Sequence, residues 1–203
     1  MAKVVLDVTM SLDGFIAGPN DDVERLHDWL FSGTTAGNSN RSASVLPGRE
    51  SFKTSGGSTE VLEESFKSTG AVVMGRRTFD IGERPWGNNP PFQVPVFVLS
   101  HRGREKVVKS ATTFTFVTDG IESALKQARA AAGQKNVALM GANTAQQSLK
   151  AGLLDEIQIH LVPVLIGDGI PLFEHISRKH IELERTRVIE ARGLTHLRFR
   201  VVK

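Results

Sequence analysis

The sequence predicts a single α/β domain over residues 1–203: a mainly parallel central sheet, helices on its faces and an antiparallel hairpin at the C-terminus. Three observations carry this reading. Short apolar runs at Ala71–Met74, Val94–Leu99 and Val137–Met140 are long enough for buried strands and too short for helices. Stretches with helical spacing alternate with them, as strand–helix–strand units require. The tail then changes to a period of two over Glu182–Ile189 and Thr195–Val202, joined by Ala191-Arg192-Gly193, which reads as a hairpin.

Each element has its own signal. Val4, Leu6, Val8, Met10 and Leu12 alternate with Val5, Asp7, Thr9 and Ser11, so a strand with one core face and one polar face is expected. That polar face either meets solvent or lines a cavity. Asp13-Gly14 turns the chain into Phe15–Asn20, a loop whose apolar start should cover something. Asp22–Phe31 reads as a short helix with Val23, Leu26 and Leu30 on one side. Ser32–Gly57 is rich in Gly, Ser, Thr and Asn and is long for a structureless loop; it reads as a mobile lid or partner-contacting segment, or as an inert insertion. A helix over Thr59–Ser68 presents Val61, Leu62 and Phe66, with Glu60, Glu63 and Glu64 around the rest. Phe114–Val117 is a strand, after which Asp119 and Glu122 form a capping pair for a helix that Gly133 stops. Asn143, with Gln146 three residues later, caps the helix that Gly152 ends. Ile157–Ile166 is a further strand. In the terminal hairpin Leu197, Phe199 and Val201 point inward and His196, Arg198 and Arg200 outward.

Composition narrows the function. There is no cysteine, hence no disulfide or thiolate chemistry, and a cytoplasmic setting is expected. Apolar runs fall far below the ~20 residues of a membrane helix, and no signal-peptide pattern opens the chain. The net charge of +3 is spread out, and only His101–Lys106 is locally basic. This suits an anionic small molecule better than a nucleic-acid footprint. No metal site is expected.

Three strand ends carry anion-friendly residues: Gly75-Arg76-Arg77-Thr78, Ser100-His101-Arg102 and Gly141-Ala142-Asn143-Thr144. Small residues let the backbone approach a ligand, and the free N–H groups and dipole of a helix start favour a phosphate. One such end is also what a tight turn or a solvated helix start looks like. Three fit a ligand with several phosphates lying across the carboxyl ends of a parallel sheet. The G-x-G-x-x-G dinucleotide fingerprint is missing, which argues against an ordinary Rossmann dehydrogenase.

The segments M-S-L-D-G-F-I-A at 10–17, V-V-M-G-R-R-T-F at 72–79, V-F-V-L-S-H-R at 96–102, G-A-N-T-A-Q-Q at 141–147 and L-L-D-E-I-Q-I-H-L-V-P-V-L-I-G-D-G at 153–169 resemble one family in order and spacing. It is the reductase domain of the bacterial bifunctional deaminase–reductases of riboflavin biosynthesis, with their stand-alone relatives of the dihydrofolate reductase-like superfamily. The resemblance covers nearly the whole chain except about 32–57.

The resemblance implies an NADPH-dependent reductase passing hydride to a small pyrimidine- or pterin-like heterocycle or a carbonyl substrate. It implies that Gly75, Arg76, Arg77 and Thr78 hold phosphates, that Ser100, His101 and Arg102 grip the 2′-phosphate, and that Gly141, Ala142, Asn143 and Thr144 meet the pyrophosphate. Ala142 stands where the family has a second glycine. Thr9, Ile16 and Ala17 match positions flanking the nicotinamide. Asp7, on the strand face of Thr9, and Glu63, on the helix where dihydrofolate reductases place a carboxylate, are the candidate acids. His160, between Ile159 and Leu161, reads as a satisfied sheet histidine before a proton donor. A homodimer is also implied. The alternatives are a non-catalytic nucleotide- or partner-binding protein that kept the fold, and a flavin enzyme.

Overall fold

The computed structural model describes residues 2–31, 52–174, 176–177 and 180–203. Most of the Ser32–Gly57 segment therefore lies outside the described residues. Its end does not: Phe52 stacks on Phe66, and the Lys53 N–H donates to the Leu30 carbonyl at 2.8 Å.

The strands are β1 (Val4–Ser11), β2 (Phe15–Ala17), β3 (Thr69–Gly75), β4 (Val96–Leu99), β5 (Val107–Lys109), β6 (Thr112–Val117), β7 (Asn136–Met140), β8 (Glu156–Val162), β9 (Ile170–Pro171), β10 (Leu183–Ala191) and β11 (Leu194–Val201). Nine of them form one sheet in the order β10-β11-β8-β1-β7-β3-β4-β6-β5, while β2 and β9 pair separately. From β8 through β1, β7, β3 and β4 to β6 every pairing is parallel; β11, β10 and β5 join antiparallel. The helices are α1 (Glu24–His27), α2 (Gly57–Ser68), α3 (Arg76–Glu83), α4 (Ile121–Ala132) and α5 (Ala142–Lys150).

Alternating residues of the sheet feed two faces. On one, Leu6, Val73, Leu139 and Ile157 pack beneath Leu125 and Ala128 of α4 and Ala145 and Leu149 of α5. On the other, Val72, Met74, Val96, Val98 and Phe114 meet Phe79 of α3 and Trp86. A smaller cluster on Leu26, Trp29 and Leu30 closes against Val162 and Leu194.

Several local expectations change. Asp22–Phe31 is a single turn of α-helix followed by a 3-10 turn at Asp28–Phe31. Neither Asp119 nor Asn143 caps its helix: Gly120 and Gly141 occupy the N-cap positions, with φ of 91° and 93°. These left-handed values favour glycine, which has no Cβ to clash. Asn143 instead accepts from the Gln147 amide, and Gln146 donates to the Leu172 carbonyl. Leu12 is solvent-exposed and Thr9 and Ser11 are buried, so the alternation of β1 inverts past its middle. The Ser11 hydroxyl donates to Asp13 at 2.5 Å and accepts from the Phe15 N–H at 2.9 Å, which explains how a polar residue sits there without cost. His196, expected to face solvent, is 4% exposed because α2 covers that side of the hairpin.

Candidate functional site: a cavity across the strand ends

β7, β3 and β4 are adjacent and parallel, with Met74 beside Met140 and Gly75 beside Leu99. The three strand ends singled out from the sequence are thereby neighbours. Over them, on the face of Val72, Ala138 and Met140, opens a cavity of about 940 Å³. Its wall includes Thr9, Ile16, Ala17, Gly75, Arg76, Arg77, Thr78, Ser100, His101, Arg102, Gly141, Ala142, Asn143 and Thr144. Asp7 lines it too. Glu63 does not reach it; its carboxylate accepts from Lys67 at 3.2 Å, one turn along the outer face of α2.

The strand-end residues divide the work. Gly141 has φ of 93°, and a Cβ there would stand 3.1 Å from the Thr78 hydroxyl, so a bare backbone is required where β7 meets α5. Thr144 is fully buried and donates to the Met140 and Gly141 carbonyls at 2.7 and 2.9 Å, which fixes the turn. Ser100 likewise shapes its loop, donating to the Arg102 carbonyl at 2.8 Å and accepting from the Arg102 N–H at 3.2 Å. Arg76 donates to Asp80 at 2.7 Å, and Arg77 forks onto both oxygens of Asp21 at 2.9 Å. That hydrogen-bonded pairing raises the Arg77 pKa. The guanidinium of Arg102 makes no hydrogen bond or ion pair with the described residues and is exposed. The wall thus offers two helix starts and three cations, a donor set that fits a polyphosphate.

A polar line lies deeper, on the same sheet face. Thr9, His160 and His196 are cross-strand neighbours on β1, β8 and β11. His160 Nε2 lies 2.8 Å from Asp7 Oδ1, and its Nδ1 lies 2.6 Å from His196 Nδ1. Ser65 donates to Asp7 Oδ2 at 2.6 Å, and His196 Nε2 lies 2.9 Å from the Ser58 hydroxyl. Trp29 packs its ring 4.8 Å from that of His160 and donates to Thr9 at 3.2 Å. Burial pushes the Asp7 pKa up, but His160, Ser65 and Arg198 outweigh it and hold the carboxyl below its ordinary value. Burial and the neighbouring His160 push His27 and His196 down to about 4. His27, Trp29, Ser65 and His196 belong to this site although nothing in the sequence assigned them a role in it. Cross-strand parity was the available signal: it places His160 and His196 on the face of Asp7 once the order β1-β8-β11 is known.

Asp13 ties the loops at the rim. It accepts from the N–H groups of Ile166 and Gly167, at 3.0 and 2.7 Å, and the hydroxyl hydrogen bond from Ser11 lowers its pKa. Gly169 lets β9 lie on β2, since a Cβ there would meet the Ala17 carbonyl at 2.2 Å.

Known proteins share this fold. The chain is 25% identical to a candidate riboflavin biosynthesis protein from Shewanella sp. PV-4, with a TM-score of 0.70 and full coverage of both chains. The deaminase/reductase of Thermotoga maritima superposes with a TM-score of 0.61 at 13% identity, this chain spanning 57% of that protein. Dihydrofolate reductase from Enterococcus faecalis, solved with NADP(H), gives 0.59 at 10% identity and shows the same fold. Among sequences, the uncharacterized protein YyaP of Bacillus subtilis is 23% identical over 198 residues, covering 93% of this chain and 90% of that one. The model of the RibD C-terminal domain family matches residues 2–194, and the chain, with its dihydrofolate reductase-like fold, belongs to that family.

Proposed function

We propose that the protein is an NADPH-dependent reductase acting on a small heterocycle or carbonyl compound. The observation that carries this is the convergence of three phosphate-suited strand ends on one cavity that also holds a carboxylate–histidine pair. The turn at Gly141 and the helix starts at Arg76 and Ala142 would hold the pyrophosphate, and Arg102 the 2′-phosphate. Thr9, Ile16 and Ala17 would border the nicotinamide, which supplies the hydride when bound. The apolar wall of Trp29, Leu62 and Phe66 fixes a flat substrate and excludes water. Asp7, on the same wall, orients polar substrate atoms.

Titration calorimetry with NADPH and NADH tests the reading. NADPH should bind at least about tenfold more tightly, and Arg102→Ala should cost about 1.5–3 kcal/mol of NADPH affinity and leave NADH affinity unchanged. Absence of binding by either nucleotide rejects it. Steady NADPH consumption with a pterin, pyrimidine or carbonyl compound separates a reductase from a binder that kept the fold.

A further inference from the structure

The line of side chains running from the cavity wall into the sheet has a property that packing alone does not require. Asp7 is its open end, with 21% of its side chain exposed against 6% for His160. Behind it the two imidazoles meet through like atoms, Nδ1 to Nδ1 at 2.6 Å. Such a contact is bonding only when one nitrogen carries a proton and the other does not. Because Asp7 is a carboxylate, His160 Nε2 must be the donor in that pair. With no extra proton, every bond points toward Asp7: Ser58 hydroxyl to His196 Nε2, His196 Nδ1 to His160 Nδ1, His160 Nε2 to Asp7. With one extra proton, both Nε2 atoms are donors and the shared proton lies between the rings. The Ser58 hydroxyl suits both states, because it can donate or accept. The line is therefore satisfied with or without one additional proton.

We propose that Asp7, His160 and His196 are the proton source of this cavity, with Asp7 touching the substrate, His160 supplying the proton and His196 positioning and sharing it. The proposal rests on the reductase reading, since hydride addition creates the need for a proton. Hydride arriving at the carbon of a C=N or C=O bond forms a C–H bond, and the π pair moves to the heteroatom. The charged histidine pair passes the Nε2 proton of His160 to the Asp7 carboxylate, and the carboxyl so formed gives a proton to the heteroatom and returns to carboxylate. The substrate is reduced, NADPH is oxidised to NADP⁺, and the histidine pair ends one proton poorer until solvent restores it through the open cavity. The surrounding charges fit a pair that accepts one proton and not two. Arg198 and Arg187, both engaged by Glu64, stand behind the line, and His27 of α1 faces His160. Trp29 keeps water from the rings.

The test is a nitrogen-15 histidine NMR titration of the full chain from about pH 5 to pH 9. A far-downfield proton shared by the two rings is expected, as is uptake of a single proton by the pair. Asp7→Asn should lower the midpoint by about one unit, a tenfold loss of proton affinity. Two rings that titrate independently, or a midpoint indifferent to Asp7→Asn, overturn the proposal. His196→Gln and His160→Gln should bind NADPH as the wild type does, which keeps failure of the cofactor reading separate from failure of the relay. With a carbonyl or cyclic imine probe, both should lower kcat about 100-fold on the acid side of the titration, where the wild-type pair holds its additional proton, leave KM unchanged and shift the pH profile. Wild-type kcat with an unshifted profile in His196→Gln overturns the role of the pair.

Discussion

At the level of single residues, the protonation states of the histidines decide how acid affects the fold. His27 stays neutral down to about 4 in the folded chain, as does His196 once its partner His160 bears the pair's proton, whereas an unfolded histidine binds its proton near 6.5. The unfolded state therefore takes up protons first. Stability is complete above about pH 6.5, falls as the pH drops toward about 4, and loses nothing more to these groups below that. A shift of this size amounts to on the order of 3 kcal/mol for a group that bears it fully. Urea midpoints at about pH 8, 6 and 5 should decline in that order, and a flat series would contradict the assignment. The strand-end residues that meet at the cavity were legible in the sequence, because glycines, arginines and hydroxyls at strand ends carry a local signal. His196 carried none: Leu197, Phe199 and Val201 claimed the inner face of the hairpin, and only the packing of α2 shows that the hairpin has two inner faces.

At the level of elements, the strand-to-helix junctions carry the proposed cofactor contacts. Gly141→Ala introduces a methyl at a left-handed φ and presses it against Thr78. It should cost about 1–3 kcal/mol of stability and weaken NADPH binding more than NADPH discriminates against NADH. Thermal melts with and without nucleotide measure both effects. Element identity was legible from periodicity, but caps were not. Asp119 and Asn143 have the right side chains for N-caps, yet Gly120 and Gly141 take those positions because the chain leaves each strand in a conformation only glycine adopts freely. The two-residue strand β9 and the three-residue β2 and β5 went unseen, since partners distant in sequence define them.

At the level of the whole molecule, the sheet separates two apolar layers, and the cavity opens on one of them. Phe114 is fully buried beneath Phe79 and Trp86, so Phe114→Ala should cost about 3–5 kcal/mol and lower the melting temperature. The α/β class could be read from the alternation of strands and helices. The strand order could not, because residue patterns do not encode which strands become neighbours. That order has a consequence for how the protein is made. The strand of this sheet that comes earliest in chain order, β1, sits between β7 and β8, whose residues span Asn136–Met140 and Glu156–Val162. On the ribosome both of its edges stay bare while the intervening chain is translated, roughly 8 to 30 s at ordinary elongation rates. The polar residues of β1 that later serve the cavity, Asp7 and Thr9, interrupt the apolar run in that interval. They keep the waiting strand from being an adhesive ribbon for its neighbours on the polysome.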